Sequence, residues 1–230
     1  MKARDVRLIV TETEDAAAKR VAELLAESAR KGDEIVLTGG RTPGRAYELA
    51  AGLEPDWSRA SVWWGDERCV PPDDERSNYA LARSTLFDRL GAQPGRVHRI
   101  HGEDDPAAAA ASYERELRGT TLDLLLLGLG PDGHLASLFP NAPGLSETER
   151  LVIPAEPGLE PFVERVTLTP PALRGARQIV FLVTGADKAD AVAGALAGAP
   201  DPAVPGSLIR AESGETLAIL DQEAASRLRD

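Results

Sequence analysis

The chain has 230 residues, of which 43% are hydrophobic and 27% charged, as in an ordinary soluble globular protein. Its formal net charge of −11 argues against a nucleic-acid partner, because such binding depends on Lys and Arg side chains that neutralise phosphates. The lone Cys69 excludes an internal disulfide and a cysteine-based metal cluster. No apolar run reaches the roughly 20 residues that a bilayer span needs, and the N-terminus lacks a secretory signal pattern, so we expect a cytoplasmic protein without a membrane partner.

Predicted strands and helices alternate along the chain. Apolar runs predict strands at residues 6–10, 34–38, 61–64, 96–100, 122–127, 162–168, 178–184 and 215–220. Helical spacing and capping residues predict helices at 14–31, 43–51, 78–90, 105–118 and 185–197, a short one from 169, and a closing one capped by Asp221. This alternation predicts an α/β fold in a single domain covering 1–230, with a mostly parallel sheet flanked by helices on both faces.

The stretch at residues 122–140, LDLLLLGLGPDGHLASLFP, is the one around which we expect the rest to be organised. An apolar run typical of a buried strand breaks at a turn rich in glycine, and His134 stands at the end of that turn. In open α/β sheets ligands bind outside the carboxyl ends of the strands, so His134 is a candidate site residue. The alternative is a tight turn whose histidine only caps a helix.

A second glycine-rich turn follows the strand predicted at 34–38. Gly39 and Gly40 precede Arg41 and Thr42 at the start of a predicted helix. Free backbone amides and the helix dipole form an anion site there, and the two glycines let an anion approach the backbone closely. Gly-Gly alone is a weak signal, but the hydroxyl of Thr42 and the charge of Arg41 favour phosphate binding.

Charged residues mark two further strand ends. Asp66, Glu67 and Arg68 follow the strand at 61–64, and a solvated charged turn is the alternative interpretation of this cluster. Lys188 stands at a predicted helix start, where the dipole disfavours a cation, so a nearby anion explains it better than solvent exposure alone.

The remaining polar signals are weaker. Arg165 and Thr167 share one side of the strand at 162–168 because strand side chains alternate. His98 and His101 fit no metal-binding pattern, and we interpret them as surface or packing residues. The segment 141–160, rich in Pro, Gly and acidic residues, predicts a long loop over the site with a brief strand at 151–154.

Four stretches occur in order along the chain: LTGGRTP at 37–43, GDERCVPPDDERSN at 65–78, GLGPDGHLASLFP at 128–140, and RVTLTPPAL at 165–173 with GADK at 185–188. Together they resemble the 6-phosphogluconolactonases, and GPDGH followed by ASLFP is the most specific piece. The resemblance implies hydrolysis of 6-phospho-D-glucono-1,5-lactone in the oxidative pentose phosphate pathway. It also implies the modified Rossmann-type fold shared with sugar-phosphate isomerases and hexosamine-phosphate deaminases, a monomer or small homo-oligomer, and no metal or organic cofactor.

Carried over position by position, the resemblance makes His134 the general base that activates water. Asp66 and Arg68 would position the water and the substrate or polarise the carbonyl. The chain departs from the family in placing Leu135 where Thr is frequent, which removes one side-chain hydrogen bond but leaves the imidazole in place.

The resemblance also implies a substrate-binding set, namely Gly39, Gly40, Arg41, Thr42 and Lys188 around the 6-phosphate, with Asn78 and Arg165 as further contributors. Arg41 is a second departure, because a small hydroxyl residue such as Ser is commoner there. The phosphate contact at this position is therefore either a guanidinium or absent.

The chemistry of lactone hydrolysis suits these residue types. The attacking water must lose a proton near neutral pH, where imidazoles titrate, and general base catalysis contributes roughly 10²- to 10⁴-fold in rate. The attacked carbonyl becomes an oxyanion, which fixed donors such as Arg68 or turn amides stabilise by about 3 to 4 kcal/mol. No GxSxG motif is present to supply a covalent nucleophile.

Two alternatives come from other classes. A hexosamine-phosphate deaminase typically carries a carboxylate five residues after the histidine, where this chain has Phe139. A non-catalytic sugar-phosphate sensor would append a helix-turn-helix segment, for which this chain has no spare region or basic patch. The presence of His134 together with Asp66 and Arg68 favours an enzyme over a sensor.

Overall fold

The computed structural model describes residues 6–158, 160 and 162–228. Its strands are β1 (Val6–Thr11), β2 (Glu34–Leu37), β3 (Ser61–Trp64), β4 (Asp66–Arg68), β5 (Arg96–Val97), β6 (Leu124–Leu127), β7 (Val152–Ala155), β8 (Arg165–Leu168), β9 (Gln178–Val183) and β10 (Glu215–Asp221). Its α-helices are α1 (Glu14–Lys31), α2 (Arg41–Leu53), α3 (Asn78–Thr85), α4 (Pro106–Leu117), α5 (Pro170–Arg174) and α6 (Ala189–Val192).

Seven strands form one parallel sheet in the order β1-β10-β9-β6-β2-β3-β5. The strand that leads into His134, β6, is the middle strand, and every residue of β3 and β6 is buried. Strands buried on both faces need cover on both sides, and the helices that connect parallel strands provide it. The predicted mostly parallel sheet with flanking helices is confirmed.

Local sequence signals account for the start and the end of α1. The side chain of Thr13 accepts a hydrogen bond from the backbone N–H of Ala16, and Gly32 ends the helix in the left-handed conformation with φ of 83°. Such a conformation favours glycine because glycine has no Cβ to clash with the backbone. The buried side of α1 packs against α2, which places the first turns of both helices side by side.

A second, antiparallel sheet in the order β4-β8-β7 was not predicted. Gly65 separates β3 from β4: its N–H donates to Leu37 of β2, and its carbonyl accepts from Leu168 of β8. The chain therefore passes from one sheet to the other within a single residue. The prediction of a strand over 162–168 was wrong in extent, because β8 begins at Arg165 and pairs with β4 and β7 instead of joining the main sheet.

The strand predicted at 96–100 is shorter than expected and ends at Val97. Its partner β3 offers no free backbone groups beyond that point, because the Tyr113 hydroxyl accepts from the N–H of Trp64 and donates to its carbonyl. The Tyr113 side chain from α4 therefore makes the hydrogen bonds that a longer β5 would otherwise make with β3.

Three predicted helices differ in form. The helix predicted to reach residue 90 ends at Thr85 and continues as a 3₁₀ turn at Phe87–Arg89. Residues 185–197 form a 3₁₀ turn, the short α6 and a π-helical turn at Ala193–Ala197. Asp221 caps the N–H of Ala224 as predicted, but residues 222–227 form turns, since so short a segment scarcely recovers the cost of helix nucleation.

The segment 141–160 does not form the predicted long loop over the site. Its described residues contain a 3₁₀ turn at Pro143–Ser146 and the strand β7, which confirms the brief strand predicted at 151–154 with a shift of one residue. None of them lines the cleft described below. Gly158 packs against the ring of Phe139, so the segment supports that side chain from behind. Residue 159 lies outside the described residues.

None of the helices in the described part of the chain is both long enough and apolar enough to cross a bilayer.

Candidate active site

A cleft of about 390 Å³ opens at the carboxyl ends of β2, β3, β6 and β9. The residues that follow these four strands reach the same edge of the sheet because the strands are parallel neighbours. Every residue assigned to the site from the sequence lines this cleft: Gly39, Gly40, Arg41, Thr42, Asp66, Arg68, Asn78, His134, Arg165 and Lys188.

His134 is partly exposed in the cleft and is held from behind by a carboxylate. Its Nδ1 lies 2.5 Å from Oδ1 of Asp132, which also accepts a hydrogen bond from the His134 backbone N–H at 3.1 Å. A carboxylate only accepts, so Nδ1 carries the proton and the tautomer assigned from this network leaves Nε2 as a free acceptor. Gly130 is needed at its position, because a Cβ there would overlap the imidazole.

The environment of Asp132 keeps it ionised. Burial alone raises the pKa of a carboxyl group, but the hydrogen bonds from the ring and the backbone N–H of His134 outweigh burial and lower the pKa of Asp132 below its ordinary value. The ring of Phe139 also packs on the imidazole, with 4.8 Å between the two ring centroids. The guanidinium of Arg165 lies 5.5 Å from the centroid of the same Phe139 ring.

Asp66 is buried at 5% exposure and fixed by two donors. Ser137 Oγ donates to Asp66 Oδ2 at 2.6 Å, and Asn78 Nδ2 donates to Asp66 Oδ1 at 3.1 Å. The other end of the Asn78 amide, Oδ1, is buried without a hydrogen-bond partner among the described residues. It sits so close to Gly39 that a Cβ on Gly39 would overlap it, so Asn78 joins the glycine turn to Asp66.

The register of the second sheet places two guanidinium groups at one side of the cleft. Arg68 of β4 is directly opposite Arg165 of β8, and Asp66 is opposite Thr167. Arg68 donates to the carbonyl of Arg76. Arg165 is only 4% exposed, and its burial lowers its pKa, while the nearby charge of Asp66 acts in the opposite direction.

The anion end of the cleft lies at the first turn of α2. Gly40 takes φ of 115° just before this helix, a conformation that favours glycine. The first backbone N–H groups of α2 have no preceding helical turn to accept their hydrogen bonds. The Thr42 hydroxyl lies 2.9 Å from that of Thr184, which follows β9. Lys188, with 24% of its side chain exposed, lies beyond the same strand end.

Comparisons with known proteins agree with this geometry. The family described as glucosamine-6-phosphate isomerases/6-phosphogluconolactonase matches residues 10–218. The chain belongs to this family. A 6-phosphogluconolactonase of Streptomyces coelicolor is 41% identical over 94% of this chain and 90% of its own length, and one of Thermotoga maritima is 39% identical over 74% and 77%.

Solved structures of the family superpose over nearly the whole chain. The 6-phosphogluconolactonase of Trypanosoma cruzi has a TM-score of 0.86 at 27% identity and covers both chains fully. That of Thermotoga maritima has a TM-score of 0.81 at 31% identity, covering 94% of this chain and 99% of its own. A monomeric glucosamine-6-phosphate deaminase, at 22% identity and a TM-score of 0.82, shares the fold.

Two residues that organise the site, Asp132 and Ser137, were not identified from the sequence, and Glu67 was noted only as a member of the charged cluster after β3. Both carboxylate oxygens of Glu67 are used, accepting from the backbone N–H groups of Arg68, Asn78 and Tyr79 and from the Ser77 hydroxyl. Burial raises the pKa of Glu67, and these four donors act against that shift. The spacing of Asp132 and His134 was a usable signal, whereas the contacts of Ser137 and Glu67 arise only from the folded chain.

The other two histidines lie outside the cleft lining. His98 stacks on Trp63 with ring centroids 3.7 Å apart, and its Nδ1 lies 2.9 Å from Glu116. His101 lies near the carboxylates of Glu103 and Asp104 at 3.9 and 3.7 Å. Among the residues that the structure describes, no group of three or more His, Cys, Asp or Glu side chains is arranged to hold a metal ion.

Proposed function

We propose that the protein is a 6-phosphogluconolactonase, which hydrolyses 6-phospho-D-glucono-1,5-lactone to 6-phospho-D-gluconate in the oxidative pentose phosphate pathway. One observation carries this proposal: a single cleft holds the carboxylate-supported imidazole of His134 and, along the same sheet edge, the glycine turn and first turn of α2. Relatives of that name, 34 to 41% identical over most of the chain, support it.

In the proposed mechanism, Nε2 of His134 removes a proton from a water molecule as its oxygen attacks the lactone carbonyl carbon. Asp132 stabilises the imidazolium that forms. The tetrahedral oxyanion then expels the ring oxygen, which takes the proton back from His134 and becomes the new hydroxyl group. The products are the acid and the regenerated base, so the chain itself needs no cofactor for any step.

The second sheet serves the reacting carbonyl in this proposal. Arg68 and Arg165 lie side by side across the β4–β8 ladder and provide positive charge for the oxyanion. Asp66, held by Ser137 and Asn78, positions the water and the substrate.

The other end of the cleft binds the 6-phosphate. The amides after Gly39 and Gly40, the Thr42 hydroxyl and Lys188 are the proposed contacts, with Arg41 close by. Binding energy from this distant group holds the carbonyl against the water, which raises the rate of the chemical step.

The deaminase alternative is not favoured by the site. The position five residues after His134 is occupied by Phe139, whose ring packs beside the imidazole and has no ionisable group for proton transfer. A sensor is disfavoured because binding alone needs no imidazole base held by a neighbouring carboxylate.

The remaining parts of the proposal concern the setting of the reaction. We propose a single domain over 1–230, acting in the cytoplasm as a monomer or small homo-oligomer on a small phosphorylated sugar lactone. Its net charge of −11 supports the absence of a nucleic-acid partner.

The test follows lactone loss by wild type and His134→Ala above the uncatalysed background. We expect kcat to fall by about 10²- to 10⁴-fold, the usual contribution of a general base, with affinity for 6-phosphogluconate retained. His101→Ala is the matched control, since His101 is half-exposed outside the cleft lining and its loss should leave the rate unchanged. Equal rates for wild type and His134→Ala, with ligand binding intact, would favour the sensor.

A further inference from the structure

The two cations at the phosphate end of the cleft are each paired with a carboxylate of the chain itself. Arg41 Nη2 lies 2.9 Å from Glu14 Oε2, and Lys188 Nζ lies 3.3 Å from Asp187 Oδ2. Asp187 and Lys188 are neighbours in sequence, so that pairing needs no tertiary arrangement. The Glu14 pair is different, because it joins the first residue of α1 to the first residue of α2.

Glu14 uses both carboxylate oxygens on consecutive residues of α2. While Oε2 pairs with Arg41, Oε1 lies 2.8 Å from the Thr42 hydroxyl. Since a carboxylate only accepts, Thr42 donates its single proton to Glu14, and Thr184 donates in the 2.9 Å contact between the two threonine hydroxyls. The Thr42 hydroxyl therefore has no proton left for a phosphate while its bond to Glu14 lasts.

The position of Glu14 makes it a rival of a bound phosphate. Helix N-termini attract anions through their free amides and dipole, and the carboxylate of Glu14 already stands beside the first turn of α2. About a third of the Glu14 side chain and 84% of the Arg41 side chain are exposed. Exposed ion pairs are weak, so the pair can open when a stronger anion arrives.

We propose that Glu14 is an internal competitor that weakens the binding of phosphorylated ligands and thereby sets KM and product release. The inference rests on the proposed function, which places the 6-phosphate at this end of the cleft. When the phosphate binds, Arg41 and Thr42 exchange Glu14 for phosphate oxygens, and the charge of Glu14 then opposes the bound dianion. Because substrate and product carry the same phosphate, Glu14 weakens the binding of both.

Glu14→Gln tests this competition, because Gln keeps the length of the side chain and an oxygen that accepts from Thr42 but lacks the charge. We expect the Kd values for inorganic phosphate and for 6-phosphogluconate, measured by calorimetry, to fall about two- to fivefold, the range of an exposed ion pair. KM should fall by a similar factor with no rise in kcat, because the lost repulsion acts equally on ground state and transition state.

The matched control is Glu23→Gln, which removes the same charge from the same helix. Glu23 pairs with Arg20 at 2.7 Å and lies about 13 Å further along α1, beyond the Debye length at physiological salt. Its substitution should leave both Kd values unchanged.

Equal or weaker phosphate binding by Glu14→Gln would overturn the inference and would indicate that Glu14 positions Arg41 for the phosphate. Glu14→Ala provides a second removal of the charge if the Gln variant has a lowered Tm. Lactone hydrolysis is scored separately. A wild-type protein without hydrolysis above background would refute the proposed function, whereas the phosphate affinities would still decide the role of Glu14.

Discussion

At the scale of single residues, the imidazole of His134 depends on a carboxylate that does not itself line the cleft. Asp132 fixes the ring through Nδ1, and Gly130 leaves space for the ring. Orientation and tautomer are both set by this one contact, since a neutral imidazole has one donor and one acceptor nitrogen. Asp132 is therefore a positioning residue, and its removal should affect the chemical step more than binding.

Asp132→Asn tests that dependence. The amide group can donate as well as accept, which permits the tautomer with its proton on Nε2 and removes the charge that stabilises the imidazolium. We expect kcat to fall by roughly 10²-fold or more while KM changes little. Asp104→Asn is the control, because Asp104 lies 3.7 Å from His101 outside the cleft lining. An unchanged kcat in Asp132→Asn would show that the carboxylate has no part in the reaction.

At the scale of elements, the start of α3 links the stability of the fold to the site. Glu67 accepts three hydrogen bonds from the start of α3 and a fourth from the backbone N–H of Arg68. Asn78, the first residue of α3, donates to the backbone carbonyl of Asp66. A carboxylate suits this position because it is an acceptor at both oxygens. The Glu67 side chain of β4 thus anchors α3, which carries Asn78, to the strand that carries Asp66 and Arg68.

Glu67→Gln replaces one acceptor oxygen by an amide group that donates. The introduced side-chain NH₂ group then faces an N–H or hydroxyl donor at the start of α3, and this buried donor loses its acceptor. The loss should lower the free energy of unfolding by about 1 to 3 kcal/mol. Urea unfolding measures the loss, and kcat/KM should fall with it as Asn78 loses its position. Glu27→Gln, on the exposed side of α1, should cost less than about 1 kcal/mol. Equal stability losses in the two variants would contradict the anchoring role.

The convergence of the site at this scale was predictable from sequence. Gly39, Asp66 and His134 each come soon after an apolar run, and parallel strands bring their carboxyl ends to one edge. The second sheet was not predictable in the same way. Only Gly65 separates β3 from β4, and β4 pairs with β8, which is far away in the sequence. Hydrophobic periodicity indicates which residues form a strand, but it does not indicate which distant strand they pair with.

The whole molecule carries an excess of acidic groups, and their partners decide how its stability depends on pH. The Arg99 guanidinium beside Glu103 lowers the pKa of that carboxyl to about 2. A carboxyl whose pKa is lower in the folded than in the unfolded state stabilises the fold above the unfolded pKa. That stabilisation is lost as the pH falls towards the folded value. The pKa of Asp33 shifts in the opposite direction, because burial raises it. The stabilisation that protonated Asp33 provides at low pH is therefore lost as the pH rises.

Glu103→Gln tests this linkage in the intact fold. At pH 7 the variant should be less stable than wild type, by no more than about 1 kcal/mol because the pair is partly exposed. The difference should shrink between pH 4.5 and 2, because in this range the unfolded wild-type chain takes up a proton on Glu103 while the pair with Arg99 keeps the folded state deprotonated until about pH 2. Asp33→Asn should show a difference from wild type with the opposite dependence on pH. Urea unfolding at pH 7, 5 and 3 measures both series. A Glu103→Gln difference that stays the same at pH 3 and pH 7 would mean that the pair with Arg99 adds nothing to the acid sensitivity of the fold.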